Sequence, residues 1–271
     1  MRGVTPPTAA VGSLVALGLI LVALWWRERA VSSESASRPL IVYAAASTRP
    51  VMIAAAADYE RETGRPIELR FGASEDILTK AGLPSPTEPA DLFLPADDSY
   101  VRSARDRGLV AETIPLARMR GVLLTARGNP KGIANWDDLL RDGVRVAVPN
   151  PGAAVGKLAR DHLLQTGRWA ALRPHTVDTG TVTEAANAAR AGGVDAAIVW
   201  DAVAAHYPGQ TTLAVPELDG VVGRVEVAVL KQSRDPAEAL RFARYLAAPD
   251  HGLVRFREHG FRTVAGTGEP R

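Results

Sequence analysis

Two serines, each at the exit of a short apolar run, are the residues of this chain best placed to do chemistry. Val42-Tyr43-Ala44-Ala45-Ala46-Ser47 and Leu69-Arg70-Phe71-Gly72-Ala73-Ser74 both put a hydroxyl where a β-type run gives way to a helical one. At such a junction the first-turn backbone N–H groups and a side-chain O–H can converge on one anion. The helix dipole adds partial positive charge, so an oxyanion can be held there without a cationic side chain. Taken singly, each serine also reads as a helix N-cap, Ser47 for a helix starting near Pro50 and Ser74 ahead of Glu75-Asp76. What argues for a site is the pair: small residues, Ala45-Ala46 and Gly72-Ala73, precede both hydroxyls and let a ligand approach the backbone closely.

Three further stretches offer donors. Pro149-Asn150-Pro151-Gly152-Ala153-Ala154-Val155-Gly156 follows a strand-like run and opens a helix, presenting amides among small side chains, although a plain Pro/Gly turn has the same composition. Thr181-Val182-Thr183 has the form of a helix start with the Val182 N–H free to donate. Trp200 closes the run Ala197-Ile198-Val199 and either points its ring N–H into a cleft or packs in the core, the commoner fate of an aromatic after a β run.

Other chemistries find little support. There are no cysteines, so disulfides, thiolate metal sites and cysteine nucleophiles are absent. The five histidines, His162, His175, His206, His251 and His259, show no H-x-x-x-H or related spacing and read as surface or helix residues. Asp97-Asp98 and Asp137-Asp138 fall at helix starts, where acids are favoured by the dipole. No P-loop, dinucleotide fingerprint or G-x-S-x-G elbow occurs, and no nucleophile can be paired with a base, which leaves an enzyme without a basis.

These donors must be positioned by a regular scaffold. From Pro39 onward short β-type runs alternate with helical stretches, the pattern of an α/β fold with a largely parallel sheet. Strands are expected at Leu40–Ala45, Pro66–Phe71, Asp91–Pro95, Val144–Val148 and Ala196–Trp200. Helices are expected at Pro50–Thr63, Glu75–Lys80, Asp97–Arg107, Trp136–Arg141, Val155–Thr166, Thr183–Ala191, Pro236–Ala247 and Gly252–His259. Gly121–Ala126, leading into the polar loop Arg127–Gly132, is the candidate first crossing between two lobes, and Val222–Leu230 is a second long β run that returns. Two crossover strands with the second lobe inserted in the first give a hinged pair: residues 39–120 and 223–271 as lobe 1, and 121–222 as lobe 2. Both serine-bearing turns lie at the carboxyl ends of strands, where ligands of open α/β sheets gather.

The 271 residues are 46% hydrophobic and 23% charged, ordinary for a globular protein. The 32 basic and 30 acidic residues are interspersed and leave a net charge of +2, which gives nucleic-acid binding little footing. Ahead of this body, within residues 1–30, Ala9 to Trp26 is an uncharged run close to the length that spans a bilayer. Trp25-Trp26-Arg27-Glu28-Arg29 at its exit lacks the small residues of a signal-peptidase site, so a retained N-terminal transmembrane helix is expected in preference to a cleaved signal. Residues 31–38 are Ser-rich and read as a tether, and the body is expected outside the cytoplasm.

The blocks Ala44-Ala45-Ala46-Ser47, Phe71-Gly72-Ala73-Ser74 and Ala90-Asp91-Leu92-Phe93-Leu94-Pro95-Ala96-Asp97 resemble, in order, three blocks of the periplasmic molybdate-binding proteins of ABC transporters, within the type II periplasmic binding proteins. Val146–Pro151, Val182 with its helix, and Ala197–Trp200 are similar to the second-lobe blocks. The resemblance spans about Leu40 to Phe261. It implies a two-lobed extracytoplasmic solute-binding protein, not an enzyme, that needs no cofactor or cation and acts as a monomer. It further implies a tetrahedral oxyanion, molybdate or tungstate, held by Ser47, Ser74, the backbone at Ala154 or Val155, the Val182 N–H and Trp200, and passed to the transmembrane permease subunit. The sequence departs from the family where many members carry a Tyr hydroxyl and this chain has Trp200, whose indole only donates. It departs again at Thr48-Arg49-Pro50, which sets a cation near the cleft. A variant that binds through carboxylates, Glu184 or Asp201, is conceivable on the same frame. The alternative reading is a membrane-anchored sensor or interaction domain that keeps the fold and binds a different solute or none.

Overall fold

The computed structural model describes residues 38–83, 85 and 88–264. The chain divides at Pro39, and Leu40–Arg271 forms a compact unit by itself. The expected anchor at Ala9–Trp26 and the tether at 31–38 fall, save for Arg38, outside the described residues. No helix among the described residues is long and apolar enough to cross a membrane.

Among the described residues, ten strands form one mixed sheet. Strand β1 (Leu40–Ala45) lies parallel to β2 (Ile67–Gly72) and to β3 (Leu92–Leu94). A second parallel group is β5 (Val146–Pro149), β6 (Thr176–Thr179) and β7 (Ala196–Trp200). Between the groups run two long antiparallel strands, β4 (Val110–Thr125) and β9 (Val222–Leu230), giving the order β2-β1-β3-β9-β4-β7-β5-β6. The short strands β8 (Thr212–Leu213) and β10 (Arg262–Thr263) pair with β4. Helices α1 (Arg49–Thr63), α2 (Ser74–Ala81), α3 (Asp98–Asp106), α4 (Ala154–Gln165), α5 (Trp169–Leu172), α6 (Val182–Arg190), α7 (Asp201–Ala204), α8 (Pro236–Ala247) and α9 (Gly252–Glu258) complete the layers. The inner strands of the parallel groups, such as β1 and β7, read as near-continuous apolar runs, Leu-Ile-Val and Ala-Ala-Ile-Val, because both their sides are buried.

The first crossing starts earlier than the sequence suggests. Strand β4 begins at Val110, not Gly121, and Val110–Arg120 pairs with β9 while Gly121–Thr125 pairs with β7. Charged residues and Pro115 hide this stretch. Proline cannot donate to the ladder, and it sits here beside a register shift between Pro115 and Ala117, a bulge that tolerates it. The expected helix Trp136–Arg141 is a 3-10 turn, Asp137–Leu140, because Asp138 draws its carboxylate onto the N–H groups of Ala134 and Asn135. Those bonds hold the Asp138 carboxyl below the usual carboxylate range.

A buried carboxylate ties the first group together. Asp91 is fully buried, and its oxygens accept from the Ile41 N–H at 2.9 Å and the Ser233 hydroxyl at 2.6 Å, joining β1 and the turn after β9 to the entry of β3. At the crossing, Gly121 donates its N–H to the Val221 carbonyl at 2.8 Å, and a Cβ there would lie 2.8 Å from Val221 Cγ1. The two crossing strands therefore touch backbone to backbone. Replacing Gly121 by Ala should force them apart and destabilise the protein by about 1–3 kcal/mol, seen as a lower denaturant midpoint; a midpoint equal to the parent's would mean the strands need no such contact.

Candidate functional site

Strands β1, β2, β3, β5, β6 and β7 end around one cavity, and their exits build it. The lining takes in Ala45–Ser47, Gly72–Ser74 and Ala96 from the first group, and Ala153–Val155, Thr181, Val182 and Trp200 from the second. It encloses about 230 Å³, mouth included. The free space inside it is small, which suits a solute of a few heavy atoms. No acidic or basic side chain is among the lining residues. All six residues singled out in the sequence, Ser47, Ser74, Ala154, Val155, Val182 and Trp200, lie on this wall.

Neither serine is a helix cap. Ser47 sits in a 3-10 turn, Ala46–Thr48, and Thr48 holds the N-cap position of α1, with its own hydroxyl on the Ala45 carbonyl at 2.8 Å. The Ser47 hydroxyl is buried and has no hydrogen-bond partner. Ser74 is the first residue of α2, behind Ala73 as N-cap, and its Oγ accepts from the Ala96 N–H at 3.2 Å. That bond leaves the Ser74 proton free to donate. Around these hydroxyls stand the helix starts. Helices α2 and α4 have alanine N-caps that make no side-chain capping bond. The first N–H groups of a helix have no partner within it, and among the described residues Ser74, Ala154, Val155 and Val182 direct theirs to no other group. At α6 the Thr181 hydroxyl caps the Glu184 N–H at 3.1 Å and leaves the Val182 N–H to the cavity.

Trp200 lies in a slot cut for it. It is fully buried at the end of β7, directly opposite Gly121 of β4, and a Cβ on Gly223 of β9 would lie 3.0 Å from its Cη2 and 2.6 Å from the Ala96 carbonyl. Strand β9 thus gives up a side chain where the indole passes.

The charged residues near the site point elsewhere. Glu184 accepts from the Gly180 N–H at 2.8 Å, and Asp201 accepts from the N–H groups of Arg120 and Ala202, each at 2.9 Å, so neither carboxylate lines the cavity. Glu75 and Asp76 are exposed. The Arg49 guanidinium stacks over the Phe71 ring at 4.2 Å, outside the lining. Asp97 is the N-cap of α3, accepting from the Ser99 N–H at 3.0 Å, and Asp98 pairs with Arg102 at 2.6 Å.

A clasp across the mouth escaped the sequence reading. The Glu75 N–H donates to the Gly152 carbonyl at 3.0 Å, the Tyr100 hydroxyl to the Pro151 carbonyl at 3.2 Å, and Lys157 Nζ to Ser99 Oγ at 3.1 Å. Burial, with the carboxylates of Glu75, Asp97 and Asp161, pushes the Tyr100 phenol up, so it stays a donor. Its partner lies 51 residues away, and no local pattern marks it.

Residues 40–262 match the family of bacterial extracellular solute-binding proteins. The chain belongs to that family. A relative named molybdate-binding protein ModA, from Mycobacterium tuberculosis (strain ATCC 25618 / H37Rv), is 29% identical over 215 residues, 78% of this chain and 80% of the relative. Among solved structures, the Azotobacter vinelandii periplasmic molybdate-binding protein has a TM-score of 0.70 at 20% identity, covering 82% of this chain and 98% of that one. The sulfate-binding protein SubI from Mycobacterium tuberculosis H37Rv has a TM-score of 0.71 at 20% identity, over 84% and 88%. At such identities these two structures speak for the fold, which is that of the periplasmic binding proteins. Members of this family bind solutes, and a clasp over a small cavity suits that task. Tyr100→Phe removes a hydrogen bond made across the mouth and should weaken solute binding about 2- to 10-fold, measured by titration calorimetry; unchanged affinity would mean the clasp does not hold the bound state.

Proposed function

We propose that this solute-binding protein holds a tetrahedral oxyanion, molybdate or tungstate, in the cavity between its two strand groups and delivers it to the transmembrane subunit of an ABC transporter. The observation that carries the reading is the Ser47 hydroxyl, buried without a partner on a wall that contains no charged side chain. A buried hydroxyl and several buried amides with nothing to bond cost about 1–3 kcal/mol each, so an anion that accepts from all of them replaces that cost with charge-assisted bonds. The same argument weighs against a domain that keeps the fold and binds nothing. The ligand set is Ser47 and Ser74 through their hydroxyls, Ala154, Val155 and Val182 through their N–H groups, and Trp200 as the wall that limits size. No cofactor or cation takes part.

The two strand groups act as lobes, residues 39–120 with 223–271 and residues 121–222, and a solute that bonds to both favours the shut form. On this reading the protein works outside the cytoplasm as a monomer, and the apolar run Ala9 to Trp26 would serve as its membrane anchor. The specificity for molybdate over sulfate draws on the resemblance to the molybdate-binding relative and on the fixed donor geometry.

Calorimetric titration of the full chain with molybdate, tungstate, sulfate and phosphate tests this. Molybdate and tungstate should bind most tightly, and Ser47→Ala and Ser74→Ala should each weaken them about 10- to 100-fold. Absence of heat with all four anions, or serine variants that bind like the parent, would overturn the proposal.

A further inference from the structure

Two histidines 53 residues apart in sequence meet at a place the cavity does not use. His206 follows α7, and His259 closes α9. His259 Nδ1 lies 3.4 Å from His206 Nε2, and the ring centroids are 5.1 Å apart. The nitrogen separation is longer than the ~2.7–3.2 Å over which N–H donors make good hydrogen bonds. It is the bite of a chelate: metal–nitrogen bonds of about 2.0–2.1 Å at a tetrahedral angle set two imidazole nitrogens about 3.3–3.4 Å apart and their rings about 5.2 Å apart. Both lengths agree with that figure.

We infer that His206 and His259 form a binding site for a divalent transition-metal ion of the zinc or nickel type, with water filling the remaining positions. The two backbones are fixed without it. The His206 N–H donates to the Val203 carbonyl at 3.0 Å and the His259 N–H to the Arg255 carbonyl at 3.1 Å. A Cβ on Gly260 would lie 3.3 Å from Ala205 Cβ, so the turn after α9 packs directly on the turn after α7, and Arg262 reaches Asp201 at 3.5 Å beside it. The chelating nitrogens are therefore brought together by packing before any ion arrives, which spares part of the ordering cost of binding. His206 is exposed and His259 partly so, which leaves room for solvent ligands. Among the described residues no group of three or more His, Asp or Glu converges on one point, so the ion would have two protein ligands and exchange readily.

His251 supplies the contrast. Its two nitrogens face different carboxylates, Nδ1 toward Glu62 at 3.6 Å and Nε2 toward Asp250 at 3.8 Å, so those three groups cannot share one ion. An ion held by His206 and His259 would tie the segment that leaves Trp200 to the C-terminal hairpin of α8 and α9, outside the oxyanion cavity.

The test is calorimetric titration of the full, metal-stripped chain, without a polyhistidine tag, with Zn²⁺, Ni²⁺ and Mg²⁺. One Zn²⁺ or Ni²⁺ should bind per chain, with Mg²⁺ giving no heat. His206→Gln and His259→Gln should each weaken Zn²⁺ at least tenfold, and His251→Gln should leave it unchanged. Proton NMR of the parent chain gives a second reading that needs no variant: Zn²⁺ should shift two of the five imidazole signals first. Equal binding by parent and His206→Gln, loss of binding in His251→Gln alone, or five imidazole signals that ignore Zn²⁺ would each overturn the inference.

Discussion

Main-chain donors that cannot find a partner inside the protein set the terms for everything else in this structure. Every helix starts with N–H groups its own hydrogen-bond ladder does not reach, and most proteins cap them with a side chain or leave them to water. Here α2 and α4 begin behind alanines that cap nothing, and they begin on the same small cavity as α6 and the Ser47 turn. The parallel strand groups make this convergence possible, because parallel strands end side by side and the two groups present those ends to one another across β4 and β9. The alanines and glycines of the wall follow from the same demand, since a bulkier side chain would stand between the amides and whatever they are to hold.

Most of the scaffold and the residues that line the cavity were legible in the sequence because their signals are local. A short apolar run followed by small residues and a serine fixes a strand, a turn and a helix start within ten positions, and that happens at Ser47 and at Ser74. What the sequence could not separate was capping from donating. Position alone allows Ser47 to cap α1, and only the structure shows Thr48 in that place and the Ser47 hydroxyl unpartnered. The features that were missed depend on distant pairs. Val110–Arg120 looks like a loop until β9 lies beside it and a bulge accommodates Pro115. Tyr100 gains meaning from Pro151, and Trp200 from glycines 79 positions before it and 23 after it. The carboxylates raised as possible ligands, Glu184 and Asp201, are taken up by main-chain N–H groups nearby, which no spacing rule foretells.

On the proposed reading, a wall of neutral donors would also govern what the site rejects. Fixed dipoles attract an anion without a formal positive charge, so they give no advantage to a carboxylate or a nucleotide whose shape leaves several donors unmatched. Two cations near the cavity, Arg49 and Lys157, sit on aromatic rings, Phe71 and Tyr100, and are absent from its lining.

The indole of Trp200 packs against Gly223 of β9, while its backbone lies opposite Gly121 of β4. Any swing of one group relative to the other must shear β4 against β9, and the aromatic plate wedged beside their glycines cannot stay still while it happens. On the proposed reading, a bound solute and the strands of the crossing would meet the same side chain, and a smaller aromatic there would leave slack between them.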